Sequence, residues 1–370
     1  MLCRKNGKKF CLGVVLFFVM GSCICCSRGV QQGISEGIVR CVATVIPSLY
    51  AMMIVTQMLI VSGSWRLLGK PFSIFPRGIC GLSGSCFGVF LMSQLAGYPV
   101  GISMLCRLTE QGVLSRQQAS RLSLVCYGSG PAFLAGLLGN GGRKQYLLIL
   151  CCNVLANLIL AWLLFHKQPV AEQEKPKAAA SGGISLLLVE CTATAGSLLW
   201  KLCGVILCFS AGMGILEQTG LFRLLAVYSA RLHLPVSLAD CVPPLLEISC
   251  AVDTRLPGRW LLPFLAFAIS FGGICVLFQL AAAGGQLFRW RKMLLCRLAA
   301  GGLSALLCRL GLQLFPELCT SGMVTAASAP AYAVRPFPAV MLGIMIFFLF
   351  YQSHQIAQYH NFFGNPAKNS

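Results

Sequence analysis

Acidic residues are scarce in this sequence: ten Asp and Glu stand among 370 residues, against 29 Lys and Arg. Histidine is as rare, and His166, His233, His354 and His360 are too dispersed to form a ligand set. Charged residues make up 11% of the chain, where a soluble globular protein carries about 25%. No Walker loop, GxSxG or HExxH occurs, so the sequence offers neither a nucleotide engine nor a hydrolase centre. On these grounds no enzymatic activity and no cofactor are expected.

In place of charge there is apolar mass. Hydrophobic residues account for 57% of the chain and the mean hydropathy is +0.78. They come in blocks of about 17 to 25 residues, the length a helix needs to cross a bilayer core. Folding in water would leave large apolar patches uncovered, so the chain reads as an integral membrane protein in contact with lipid. The net charge of +19 does not point to nucleic acid. Its basic residues sit at segment ends and in short connectors, where the positive-inside rule places them, without a basic run interleaved with aromatics. The 21 cysteines are scattered through the apolar blocks and read as small hydrophobic filler.

Five regions follow from composition. Residues 1–33 hold an N-terminal transmembrane helix (Phe10–Cys26) and a connector; the basic flank before it predicts a retained helix with a cytoplasmic N-terminus. Residues 34–165 form a first membrane repeat, opening with a long span at Ile38–Ser62 broken only by Pro47. The polar stretch 166–183, with Pro169, Pro176 and a Ser-Gly-Gly end, is a linker. Residues 184–316 form a second repeat, opening with Leu187–Leu216. Residues 317–370 hold a C-terminal transmembrane helix (Ala339–Tyr351) and a tail.

A local match supports duplication. Arg40–Tyr50 aligns with Glu190–Trp200 without a gap, sharing Cys, Ala, Thr and Leu at equivalent places. Interrupted apolar segments follow in both halves. Gly78–Gly101 is dense in glycine and carries Pro99, so it reads as a re-entrant hairpin, since helix breakers at membrane depth are tolerated where backbone lines a cavity or is buried in protein. Leu122–Gly142 is interrupted at Tyr127–Ala132, Leu238–Pro257 by Pro243 and Pro244, and Trp260–Ala283 by Phe271-Gly-Gly273. Charge placement sends the two long spans in opposite directions. The expected fold is therefore all-α, a polytopic integral membrane protein with two inverted repeats, each containing interrupted (re-entrant) helical hairpins.

Paired interrupted segments are the best sequence pointer to a transporter site near the bilayer midplane. In the first half the candidate solute-binding residues are Ser93, Gln94, Gly97, Tyr98, Pro99, Gly101, Ser129, Gly130 and Pro131. Glycine and proline there end half-helices, whose free N–H groups and partial positive charge favour anions. In the second half they are Glu247, Ser249, Gly272, Gly273 and Gln279. Glu247 is the sharpest of these, because an ionisable side chain within an apolar segment is expensive and functional by default. It reads either as a proton or cation site for coupled transport or as an interfacial acid paired with Arg255 or Arg259. Arg40 and Glu190 read as span-end residues that snorkel. Lys201, Arg297 and Arg309 lie deeper, where each could face an anionic solute.

These motifs together carry a resemblance. Gly97-Tyr-Pro-Val-Gly101, Pro131-Ala-Phe133 with Gly136 and Gly139, Leu246-Glu-Ile-Ser249, and Ser270-Phe-Gly-Gly273 with Val276 and Gln279 resemble, in order and spacing over roughly residues 35–315, the sporulation integral membrane proteins of the YlbJ type, the stage V dipicolinate transporters. That family sits within a wider group carrying nucleoside-recognition gate domains. Ile102-Ser103 stand where the family continues with Ala-Lys, and Cys250-Ala251 where a small residue and Gly follow Glu-Ile-Ser. The resemblance implies a multi-pass protein of the cell membrane or a forespore-surrounding membrane, moving dipicolinic acid, a small aromatic dicarboxylate, during spore formation. Other sporulation membrane proteins are implied as partners. Two alternatives stand beside it: a nucleoside or other small-solute carrier of the gate-domain group, and a non-transporting sporulation scaffold.

Overall fold

The computed structural model describes residues 2–71, 80–138, 143–167, 170 and 184–317. Gly139 and the expected C-terminal helix Ala339–Tyr351 lie outside the described residues, as does most of the 166–183 linker. Among the described residues the regular structure is helical, apart from one isolated parallel bridge between Leu82 and Val170 that pins the start of the linker.

Helix α1 (Leu2–Cys25) runs into α2 (Ser27–Arg40), and α2 continues through a π-helical turn, Cys41–Val45, into α3 (Ile46–Val61). The π turn has a local cause. Pro47 lacks an N–H, so the ladder slips by one residue ahead of it and the Ile46 N–H bonds back to the Cys41 carbonyl. The resulting rod, Ser27–Val61, is the first of five helices long and apolar enough to cross a membrane. The others are α9 (Arg143–Phe165), α10 (Ile184–Gln218), the pair α13 (Gly258–Phe271) and α14 (Gly273–Gly284) taken together, and α15 (Trp290–Leu314). The expected first span is a helix whose apolar part with described side chains, Gly13–Cys25, is shorter than these five.

The spans differ in what surrounds them. Four are only 22–39% buried and turn residues such as Val55, Trp162, Trp200 and Leu295 outward, whereas the α13–α14 span is 72% buried and forms the centre. An apolar exterior around a packed interior is the arrangement that lipid solvates, and the protein is membrane-embedded.

The most extensive helix pairing is α2 against α10, and glycine makes it possible. Gly29, Gly33 and Gly37 recur every four residues along one face of α2 and back directly onto Gly214, Ser210 and Leu207 of α10. Gly29 meets the C-terminal part of α10 and Gly37 an earlier part, so the two long helices run antiparallel. A side chain at Gly33 would collide with the Ser210 backbone.

Shorter helices flank the interruptions in both halves. The short helix α4 (Trp65–Gly69) lies against α5 (Gly84–Ala96), which reverses at Gly97 into α6 (Tyr98–Glu110); Gly101 of α6 packs against Ser93 of α5, which makes α5 and α6 a helical hairpin. The hairpin tip is thus at Gly97, and its second arm extends beyond the expected Gly101 boundary to Glu110. Gly97 adopts φ 101°, ψ 166°, a conformation reserved for glycine. Helix α7 (Arg116–Leu122), opened by a Ser115–Gln118 capping box, unwinds into a buried coil that ends at α8 (Pro131–Leu138). In the second half, α11 (Leu221–Arg231) leads to α12 (Leu238–Leu246), which stops at Glu247 and is followed by a 3₁₀ turn, Ile248–Asp253. Finally α13 breaks into α14 at Gly272, φ 82°.

The two halves show parallel arrangements. Gly130, after the first coil, backs onto Gly97 at the α5–α6 tip, while Gly273, after the α13 break, backs onto Leu246 and Ile248 at the α12 tip.

Candidate functional site

Interrupting a helix strips backbone groups of their partners, and at membrane depth water cannot replace them. In the coil between α7 and α8, side chains do so. The Gln94 amide donates to the carbonyls of Val125 (3.3 Å) and Tyr127 (3.4 Å), and the Asn157 amide donates to the same Tyr127 carbonyl at 2.9 Å. Arg297, fully buried on α15, donates to the Leu124 carbonyl and to Asn157 Oδ1 (3.1 Å). Its guanidinium also lies 4.3 Å from the Tyr127 ring centre. Of the three deep basic residues named from sequence, Arg297 is the buried one; Lys201 and Arg309 are exposed.

Two tyrosines then join the halves. The Tyr98 hydroxyl donates to the Ile269 carbonyl (2.6 Å) and the Tyr127 hydroxyl to the Phe271 carbonyl (2.7 Å), both in the last turn of α13. These carbonyls are orphaned where the helix stops at Gly272. The two rings pack 4.8 Å apart, and the Tyr127 hydroxyl lies against the Gly272 Cα face. The start of α6 consequently lies one tyrosine side chain from the α13–α14 break, and Gly130, directly before α8, contacts Gly97, directly before α6, which brings the N-termini of α6 and α8 together on that side of the break.

A second polar centre surrounds Glu247, which is 2% exposed. Arg40 donates to Glu247 Oε2 at 3.2 Å, Ser210 Oγ reaches the same oxygen at 3.5 Å, and the Cys250 thiol lies 3.6 Å from it. Ser249 Oγ donates to Oε1. Arg40 also reaches Glu36 (3.4 Å) and Asp253 (3.9 Å). Neither sequence reading of Glu247 named this partner. The guanidinium comes from the first half, 207 residues away, rather than from Arg255 or Arg259, and Arg40 faces protein rather than snorkelling.

All but one of the candidate residues named from sequence are buried; Pro131 is half-buried. Ser93, Gln94, Gly97, Tyr98, Gly101, Ser129, Gly130 and Pro131 gather around the tyrosine pair, with Pro99 in the first turn of α6. Glu247 and Ser249 gather at the Arg40 centre, with Gly273 behind them and Gly272 against Tyr127. Most of these groups are engaged. Ser93 Oγ donates to its own helix at the Phe90 carbonyl (2.6 Å), Gln94 is spent on the coil, and the Ser129 hydroxyl meets that of Tyr98. Gln279 on α14 touches the Cys275 sulfur at 3.5 Å, and Ser270 Oγ, buried beside the break, has no hydrogen-bond partner. Sequence reasoning missed Tyr127, Asn157 and Ser210. Tyr127 was legible as an aromatic directly before a Gly-Ser-Gly-Pro break; Asn157 was legible as an amide in an apolar span.

Beside Glu247 lies a cavity of about 280 Å³ between α2, α10 and α12, with Arg40 in its wall. Among the described residues no three His, Cys, Asp or Glu side chains come close enough to hold a metal ion.

No protein-family model matches the chain, and no solved structure matches it. A match does come from a curated protein of Bacillus subtilis (strain 168), the sporulation integral membrane protein YlbJ, 32% identical over 97 residues. The chain is similar to a sporulation membrane protein. The similarity spans 26% of this chain and 24% of the relative's length.

Proposed function

We propose that the chain is a secondary transporter acting in spore formation, and that it moves a small anionic aromatic solute, dipicolinic acid. In this reading the halves are inverted repeats, each supplying one helical hairpin and one broken span, and the solute passes where they cross. One observation carries the anion: the N-termini of α6 and α8 meet at the crossing, while tyrosine hydroxyls cover the opposing carbonyl ends of α13. The partial charge exposed there is positive, and Arg297 adds a buried cation one ring away. The antiparallel course of α2 and α10 supports the inverted arrangement, and the similarity to a sporulation membrane protein supports the setting. The protein works without cofactor or catalysis, in lipid, with other sporulation membrane proteins as partners.

A nucleoside or similar neutral carrier is the second reading. The Ser270 hydroxyl, buried beside the α13–α14 break without a hydrogen-bond partner, favours it, since a free hydroxyl suits a neutral polar solute.

Uptake of radiolabelled dipicolinate into proteoliposomes, with and without a proton gradient, tests the proposal. Saturable uptake that unlabelled nucleosides do not compete, reduced by Ser270→Ala or Gln279→Leu, is the expected result. Uptake competed by nucleosides would transfer the site to the second reading. Absence of both from monodisperse protein would leave the scaffold role.

A further inference from the structure

Two guanidiniums share one indole ring. Arg259, in the first turn of α13, lies 5.9 Å from the ring centre of Trp260, and Arg309, near the end of α15, lies 5.8 Å from it. Helix register explains the meeting. Gly301 of α15 backs onto Phe267 of α13, and further along α15 Arg309 reaches Trp260, earlier in α13. The two helices therefore run antiparallel, and both arginines stand at one end of the pair. The α13–α14 span opens at Arg259, so this end lies where acyl chains give way to headgroups, a depth that also suits tryptophan. Leu306 and Leu310, on either side of Arg309, are exposed. That edge of α15 faces lipid.

The arginine pair has no counter-ion. Both side chains are exposed, and among the described residues neither forms an ion pair. Their neighbour Arg255 differs, being near enough to act on Asp240. An aromatic face attracts a cation only weakly at an exposed site, while two like charges brought to one ring repel each other. What would hold them there is a negative group between them. The start of α13 points the same way. The helix opens after Pro257 with no side-chain cap, and its first turn carries no acidic residue. Its leading N–H groups therefore add partial positive charge in the turn that holds Arg259 and Trp260.

A phosphodiester suits this set. It carries one charge and two free oxygens, each able to accept from a planar guanidinium fork, so a single phosphate can bridge both arginines. A lipid phosphate also brings acyl chains to lay along the exposed leucines of α15, which a soluble anion leaves uncovered. A headgroup that carries its own ammonium is disfavoured beside two guanidiniums. We propose that Arg259 and Arg309 form a binding site for an anionic phospholipid, whose phosphate bridges the two guanidiniums beside Trp260 at the start of α13. The site stands on the lipid-facing rim, apart from the crossing of the two halves, and does not rest on the solute proposed there.

The test is native mass spectrometry of the full chain released from dodecylmaltoside micelles that contain equal amounts of phosphatidylglycerol and phosphatidylcholine. Preferential retention of phosphatidylglycerol is expected. Two arginines acting separately on an anionic lipid would each contribute a factor of about five, and their losses would multiply. A shared phosphate behaves differently: Arg259→Gln or Arg309→Gln alone should remove most of the preference, and the double variant little more. Arg231→Gln on α11, also exposed, should keep it. The charge-conserving pair Arg259→Lys and Arg309→Lys should lose it, because an ammonium lacks the fork that grips two oxygens; this variant serves if a glutamine variant does not elute as a single species. No preference in the unaltered chain, losses that multiply, or retention by the lysine pair would overturn the proposal. Displacement of phosphatidylglycerol by inorganic phosphate at matched ionic strength would overturn it as well, by assigning the arginines to a soluble anion.

Discussion

Replacing Arg40 by Gln leaves the Glu247 carboxylate buried with only the Ser210, Ser249 and Cys250 donors around it. Removing one partner of a buried ion pair costs about 3–5 kcal/mol, because the remaining charge is uncompensated. The reverse change, Glu247→Gln, is milder. The Arg40 side chain is 21% exposed and keeps Glu36 and Asp253 as partners, so the loss is that of a charge-assisted hydrogen bond, about 1.5–3 kcal/mol and toward the low end. The double variant removes both charges and should cost less than Arg40→Gln alone, a coupling of at least about 1 kcal/mol. Unfolding in mixed micelles of increasing SDS content, followed by tryptophan fluorescence, gives the three free energies. Equal costs for the two single variants, or additivity within about 0.5 kcal/mol, would refute the claim that the carboxylate is the costlier partner to strand.

Other perturbations follow from close contacts. Gly272→Ala places a side chain at φ 82° and against the Tyr127 hydroxyl, so thermal unfolding in detergent should fall, and adding Tyr127→Phe should recover part of the loss. Gly33→Leu should abolish a monodisperse elution peak, because the Ser210 backbone occupies the space, whereas Gly204→Leu on α10, with open space around it, should not. Arg297→Met should cost about 3 kcal/mol by stranding Asn157 and the Leu124 carbonyl. Arg297→Lys should not restore it, since one ammonium lacks the planar fork that spans both acceptors; chemical unfolding measures both.

The helical class and the positions of the interruptions were legible because they rest on local chemistry. Apolar length places α9, α10 and α15, and glycine with proline marks Gly97, the 127–131 coil and Gly272. The hairpin at Gly97 was legible as a break but not in its extent, since its second arm carries Arg107 and Glu110, which composition reads as a connector. The α2–α10 contact was present as a glycine every four residues at 29, 33 and 37, yet such a stripe does not name its partner. Arg40–Glu247 was illegible for a deeper reason: the two residues are 207 positions apart, and each alone is compatible with a span end. Side chains such as Gln94 looked like solute ligands because a polar residue beside a break has two uses, to meet a solute or to replace lost backbone hydrogen bonds, and only the packed chain shows which.

The tyrosine contacts across the two halves have a consequence for how this protein can vary. Tyr98 and Tyr127 bond to the carbonyls of Ile269 and Phe271, and every amino acid supplies a carbonyl. The acceptor positions can therefore exchange side chains without breaking the contact, and comparison of related sequences would find no pairwise covariation there. The Arg40–Glu247 contact, made by two side chains, would produce it. Inter-residue couplings inferred from sequence sets would thus report the ion pair and overlook the tyrosine latch, although both hold the same two halves together.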